Sequence, residues 1–289
     1  MTAEGAGSFA ETWFTDRPVS AGSVDDLVFA EDGEYLFCVF RVGPRATYQE
    51  SIRKAYESAF GLACEKGYTT IVRMWNLVGN ITGKNADGME IYKDFCVGRA
   101  EAFENWSARL GGFPAATGIG SLGNGIDCYF IACRDGKATF PENPLQIPAP
   151  EYPDQYGPRS PSFARATYLT QADENAANAI YISGTASVIG HETVYSDIDR
   201  QFDVAIGNIE TLIGRGNLWR HGIDDGYRLG DLDFIKVYVR HSDHLPSVQA
   251  RCGEVFAAEA NVVYLNTNVC RPDLLVEIEG ICRQKVGAR

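Results

Sequence analysis

The hydrophobic pattern of this 289-residue chain predicts one order of elements, and it predicts that order twice. In the first half, strands over 25–30 and 35–42 are joined by Asp32-Gly33, a dipeptide suited to a tight hairpin turn. A helix over 48–66 follows, with Ile52, Ala55, Tyr56, Ala59, Phe60 and Ala63 at helical spacing and Gly67 as its stop. A strand over 70–75, a helix over 89–110 and a strand over 125–133 complete the half. The second half reads as a strand pair (163–168 and 179–183), a helix over 197–213 ended by Gly214, and a strand over 234–239. A helix over 245–258 and strands over 262–267 and 274–281 close it. Ile71-Val72-Arg73-Met74-Trp75 answers Ile235-Lys236-Val237-Tyr238-Val239, each strand feeding a helix. A period of this kind marks an internal duplication of a ββαβαβ unit, and residues 1–23 stand outside it as a loose start.

Between the halves, residues 141–161 hold seven of the twelve prolines. Proline fixes φ and lacks an N–H, so this density excludes a helix or a central strand and predicts an extended connector. The connector also carries Tyr152, Tyr156 and Arg159, more aromatic and basic character than a solvated tether needs. The expected division is therefore 1–140, a connector over 141–162, and 163–289.

The closing strand is the most informative stretch for chemistry. In Leu274-Leu275-Val276-Glu277-Ile278-Glu279, side-chain alternation puts Leu275, Glu277 and Glu279 on one face and Leu274, Val276 and Ile278 on the other. A carboxylate among large apolar residues is costly to ionise without a partner. Either both glutamates point to water from an edge strand, or one is held in a pocket to donate or accept a proton.

Composition narrows the partners. A net charge of −12 and a pI near 4.8 argue against nucleic acid or an anionic membrane, but allow a small anion if a pocket gathers arginines. No apolar run is long enough to span a bilayer, and residues 1–10 lack the basic-then-apolar pattern of a signal peptide, so the expectation is a cytoplasmic protein. The eight cysteines are scattered without a CxxC pair, which suits small buried hydrophobes in a reducing compartment. Gly118, Gly120 and Gly123 spell GxGxxG, but a strand follows where phosphate binding needs a helix N-terminus, so the stretch reads as a glycine-rich loop. His191-Glu192 lacks a second zincin histidine. His241 and His244 lack completing ligands, and Asp243 between them reads as a helix cap. Neither a metal nor a cofactor is expected. Gly184, within Ser183-Gly184-Thr185-Ala186-Ser187, can serve a turn or leave room for a ligand. Arg159, Arg165, Arg240 and Arg271 lie in the connector or at strand ends, where converging guanidinium groups would suit a dicarboxylate.

Several segments together resemble the chorismatases, which consume chorismate. They are Gln155-Tyr156-Gly157-Pro158-Arg159-Ser160-Pro161, Ile182 to Ser187 with Gly190-His191-Glu192-Thr193, and Val269-Cys270-Arg271 through Glu279. Arg73-Met74-Trp75-Asn76 and Phe95-Cys96-Val97-Gly98-Arg99 agree as well. The resemblance implies an α+β fold of two tandem units of the RidA/YjgF (chorismate-mutase-like) type, imitating part of a trimer within one chain and leaving a monomer. It places the active site in the second unit with Glu277 as acid, and Tyr156, Arg159, Arg165, Thr185, Arg240 and Arg271 near substrate. Gly184 and Cys270 match the type that forms 3-hydroxybenzoate and pyruvate without a cofactor. The alternatives are a chorismate hydrolase giving a dihydroxycyclohexadiene carboxylate, a mixed producer of 3- and 4-hydroxybenzoate, and a binding protein that kept the fold and lost turnover.

Overall fold

The computed structural model describes residues 2–3, 10–134, 137–170 and 177–283. In chain order the elements are Thr2–Ala3 (β1), Ser20–Val24 (β2), Leu27–Glu31 (β3), Tyr35–Val42 (β4), Gln49–Glu65 (α1) and Thr70–Gly79 (β5). Next come Ile91–Trp106 (α2), Ala115–Ser121 (β6), Ile126–Cys133 (β7), Lys137–Thr139 (β8), Ala166–Thr170 (β9) and Ala179–Ala186 (β10). The short ribbon Val188–Ile189 (β11) and Glu192–Thr193 (β12) leads to Ile198–Ile213 (α3) and Arg215–Arg220 (α4). Leu232–Val239 (β13), Leu245–Val255 (α5), Asn261–Asn266 (β14) and Val276–Arg283 (β15) complete the chain.

The duplication is visible in the strand order. One sheet runs β2-β3-β4-β7-β5-β6, and the other runs β1-β14-β13-β15-β10-β9-β8. Within them, β3-β4-β7-β5-β6 and β9-β10-β15-β13-β14 are one topology used twice, each with a single parallel pair (β5 with β6, β13 with β14). The fold is thus the expected tandem α+β arrangement. α1 and α2 bury Ile52, Tyr56, Phe60, Phe95 and Phe103 against the outer face of the first sheet. α3 and α5 bury Phe202, Ile209, Leu212 and Val248 against the outer face of the second. The two inner faces pack on each other, with Val72, Trp75 and Ile131 meeting Leu169, Ala179 and Tyr181, and Ile119 meeting Ala186 and Leu265. The inward-facing residues of the central strands therefore lie on the seam between the units.

Three expectations need correction. The loose start contains β2, which pairs along β3. The glycine stretch is not a loop, because Gly118 and Gly120 lie inside β6, parallel to β5. Close approach explains those glycines: a Cβ on Gly118 would stand 2.9 Å from the Tyr92 ring, and one on Gly120 would stand 2.7 Å from the Asn268 carbonyl. Asp243 caps no helix. It lies in a single turn of 3-10 helix, and α5 starts at Leu245 without a side-chain cap.

Candidate active site at the seam

β15 is a central strand flanked by β13 and β10, so its inward face is roofed by the first sheet. Val276 and Ile278 point outward into the helix-covered core, as alternation predicts. Glu277 and Glu279 point inward and are each only 4% exposed, which decides against a solvated edge strand.

The environments of these two carboxylates differ. Glu279 sits in a cage of donors. The Trp75 indole N–H donates to Oε1 at 2.7 Å, the Thr117 hydroxyl to Oε2 at 2.5 Å, and Arg73 Nη2 to Oε2 at 2.9 Å. Lys236, opposite Glu279 on β13, brings Nζ to 3.2 Å from Oε1. Burial alone would raise the Glu279 pKa, but Lys236, Arg73 and the Thr117 and Trp75 hydrogen bonds outweigh it and hold it down at about 2. Glu277 has one hydrogen-bond partner among the described residues, the Cys270 thiol at 3.9 Å. Burial, with the Glu279 charge adding to it, lifts Glu277 to about 8, against the pull of Arg73 and Arg271. Burial likewise pushes the Cys270 thiol well above its usual range, so it is a neutral neighbour.

Gly184 forms the wall beside Glu277. The pairing of β10 with β15 shifts register between Ile182 and Thr185, and Ser183-Gly184 occupies that irregularity. A Cβ on Gly184 would lie 1.9 Å from Glu277 Oε1 and 3.1 Å from Thr117 Oγ1, so this carboxyl position is open only to glycine. The Gly184 N–H donates to Thr117 Oγ1 at 3.0 Å, which ties the wall to the first unit.

The connector approaches the same region. Tyr152 follows the first of two short 3-10 turns, Ala149–Glu151, and Tyr156 ends the second, Asp154–Tyr156. The Arg271 guanidinium lies 4.0 Å from the Tyr156 ring centre and donates to the His191 carbonyl at 2.8 Å, and the Tyr156 hydroxyl meets His191 Nδ1 at 3.2 Å. Arg165 is buried, donates to the Tyr152 hydroxyl at 2.7 Å and to the Ile147 carbonyl at 2.8 Å, and has Glu142 at 3.8 Å.

Of the residues expected from the sequence, Glu277, Cys270 and Gly184 are in contact, and Arg271 is within electrostatic reach of Glu277. Arg240 lies behind the 268–274 loop and donates to the carbonyls of Leu274, Val269 and Arg271. Thr185 turns its hydroxyl onto the Ser183 carbonyl at 2.8 Å. Arg159 is 42% exposed at its side chain and pairs with Glu104. Sequence reasoning missed Arg73, Trp75, Thr117 and Lys236. The signal for two of them was present, since Arg73 and Lys236 are lone cations in otherwise apolar strands. A cavity of about 240 Å³ also opens beside Lys236, between Trp13, Tyr129 and Tyr238, and none of the expected site residues lines it.

This arrangement can supply one proton from a buried carboxyl next to a fixed carboxylate. A 3-hydroxybenzoate synthase of Streptomyces hygroscopicus is 51% identical over 283 residues, covering 97% of this chain and 83% of that protein. The chain belongs to the chorismatase family. The family model described as chorismatase FkbO/Hyg5-like, N-terminal, matches residues 11–132, which are the first unit. A chorismatase of Streptomyces rapamycinicus is 45% identical over 277 residues, covering 95% of this chain and 82% of its own length. A chorismatase crystal structure superposes with a TM-score of 0.87 at 42% identity, over 92% of this chain and 80% of that one. As a member of the chorismatase family the chain is an enzyme of the α+β tandem fold. Among the described residues no helix is long and apolar enough to cross a membrane.

Proposed function

We propose that the protein converts chorismate to 3-hydroxybenzoate and pyruvate, with Glu277 as the general acid. The observation that carries this reading is the Glu277 carboxyl itself. It is buried, held above the neutral range at about 8, and walled by a glycine where any side chain would collide with it. A general acid works best when its pKa lies near the working pH, where it is still protonated yet remains a good proton donor, and a value near 8 meets that condition. Glu277 protonates the enolpyruvyl methylene, which activates loss of pyruvate. The ring hydroxyl then acts in place of water, and proton loss makes the ring aromatic. Products and substrate balance without water or an oxidant. Holding the ring so that its own hydroxyl is nearer than any water uses the rate advantage of an intramolecular nucleophile.

In this reading Arg271, Arg165 and Tyr156 grip the two carboxylates of chorismate, and Arg240 holds the 268–274 loop that presents Cys270 and Arg271. Thr185 borders the wall at Gly184, and the exposed Arg159 is the outermost cation of the set. The functional division is 1–140, the connector 141–162 and 163–289, with the acid in the last. Both units reach the site from within one chain, which supports a monomer. Light scattering on the purified protein should give a mass near 31.7 kDa. All eight cysteines are free, which suits the cytoplasm.

The test is incubation with chorismate and chromatography against authentic standards. The expected result is 3-hydroxybenzoate with equimolar pyruvate. Glu277→Gln should lose at least ~10²-fold in turnover while still binding chorismate. Gly184→Ala or Cys270→Ala should shift product toward the dihydroxycyclohexadiene carboxylate, as the Glu277 carboxyl moves off the ring. A dihydrodiol from the unmodified protein would favour the hydrolase, a 4-hydroxybenzoate peak a mixed producer, and untouched chorismate a binding protein.

A further inference from the structure

Two inward-facing glutamates stand two residues apart on β15, and only Glu279 sits in a cage of charged and polar donors. Three of the four donors around Glu279 come from the first unit: Arg73 and Trp75 on β5, and Thr117 on β6. The fourth, Lys236, also pairs with Glu11 at 2.7 Å, and the Tyr129 hydroxyl donates to Glu11 at 3.1 Å. Arg73 and Lys236 are thus matched by Glu279 and Glu11 before Glu277 is considered.

The ionisable groups around Glu277 are Glu279 on its own strand, Arg73 from β5, Tyr238 from β13, Tyr92 from α2, and Cys270 and Arg271 from the preceding loop. Arg271 turns to the His191 carbonyl and the Tyr156 ring, neutral partners that leave its charge for an incoming carboxylate. Among the described residues no cation is hydrogen-bonded to Glu277, and a second negative charge on this face would stand beside one that is held ionised by its cage. Two carboxylates in such proximity do not both ionise, and the better-caged one keeps the charge.

We propose that Glu279 is a positioning residue for the reaction: a fixed carboxylate, caged mainly by the first unit, that keeps the neighbouring Glu277 carboxyl in its proton-bearing form. The first unit is on this account half of the acid machinery. Thr117 joins the two functions, because its hydroxyl donates to Glu279 and accepts the Gly184 N–H, so the cage of one carboxylate fixes the wall of the other. Four hydrogen bonds in this cluster, all at most 3.0 Å, run across the seam.

The inference rests on Glu277 being the acid, and the experiment separates the two. It is the pH dependence of kcat/KM for the unmodified protein, Glu277→Gln, Glu279→Gln and the double variant Glu279→Gln/Lys236→Met, with folding checked by circular dichroism. The double variant removes one charge of each sign, so it keeps the seam balanced where the single change leaves a cation in excess. The unmodified protein should lose activity as pH rises through about 8. In whichever Glu279 variants fold, that basic limb should move acidward by about one unit, since the charge that opposes ionisation of Glu277 is gone. A purely structural role would lower kcat at every pH and leave the limb in place, and that outcome overturns the inference while Glu277→Gln remains inactive. If Glu277→Gln turns over normally, the reading of Glu277 as acid fails and takes this inference with it.

Discussion

Glu277 and Glu279 share a strand, a face and a degree of burial, so their different pKa values arise wholly from neighbours. Glu277 is lifted from an ordinary value of 4.5 to about 8, and the native state therefore holds a proton that the unfolded chain releases. The stabilisation from that proton is complete below pH 4.5 and is lost as pH rises through about 8. Glu279 behaves oppositely: depressed to about 2, it stabilises the fold above pH 4.5 and loses that contribution as pH falls toward 2. Urea unfolding between pH 5 and 9 should show the unmodified protein losing stability relative to Glu277→Gln as pH rises, with the difference levelling off above about 8. A flat difference across the range would mean that Glu277 is already ionised at low pH. The alternation of 274–279 is enough to put both carboxylates on one face. It cannot say which is charged, because that depends on Arg73 and Thr117, more than 150 residues away in sequence.

Among the elements, the helices were legible and their mutual fixing was not. α1 begins after Tyr48, which offers no side-chain cap, so the helix start looks unsatisfied from local sequence. The cap comes from the next helix. The Asp94 carboxylate in the first turn of α2 accepts the Tyr48 N–H at 2.6 Å and the Gln49 N–H at 2.9 Å, and Asn85 donates to it at 2.8 Å. The two helices also meet backbone to backbone, because a Cβ on Gly98 would lie 2.2 Å from the Gln49 carbonyl. Asp94→Ala should cost about 1–2 kcal/mol and lower the melting temperature, with the loss appearing in calorimetry. The strand at Gly118-Ile119-Gly120 escaped prediction for a related reason. Glycine is a poor local signal for a strand, and its reason here is the closeness of Tyr92 and Asn268, which only the folded chain supplies.

At the scale of the molecule, the repeat and the proline-rich connector were both readable, since they are matters of order and composition. The seam was not, because no periodicity in either half indicates that the two inner faces meet. Its consequence concerns symmetry. Identical subunits packed around an axis must present the same residues at every interface, so a carboxylate on one side of a cleft obliges every copy to carry both the acid and its cage. Two unlike copies in one chain have no such obligation. The first can specialise in donors, as Arg73, Trp75 and Thr117 do, and the second in buried carboxylates; the counterpart strand β7 carries Asp127 in the place of Glu277, paired with Arg41 at the surface, and Tyr129 in the place of Glu279. A chain built this way needs carboxylates in only one copy and their donors in only the other, so each half can change without repeating the change in its partner.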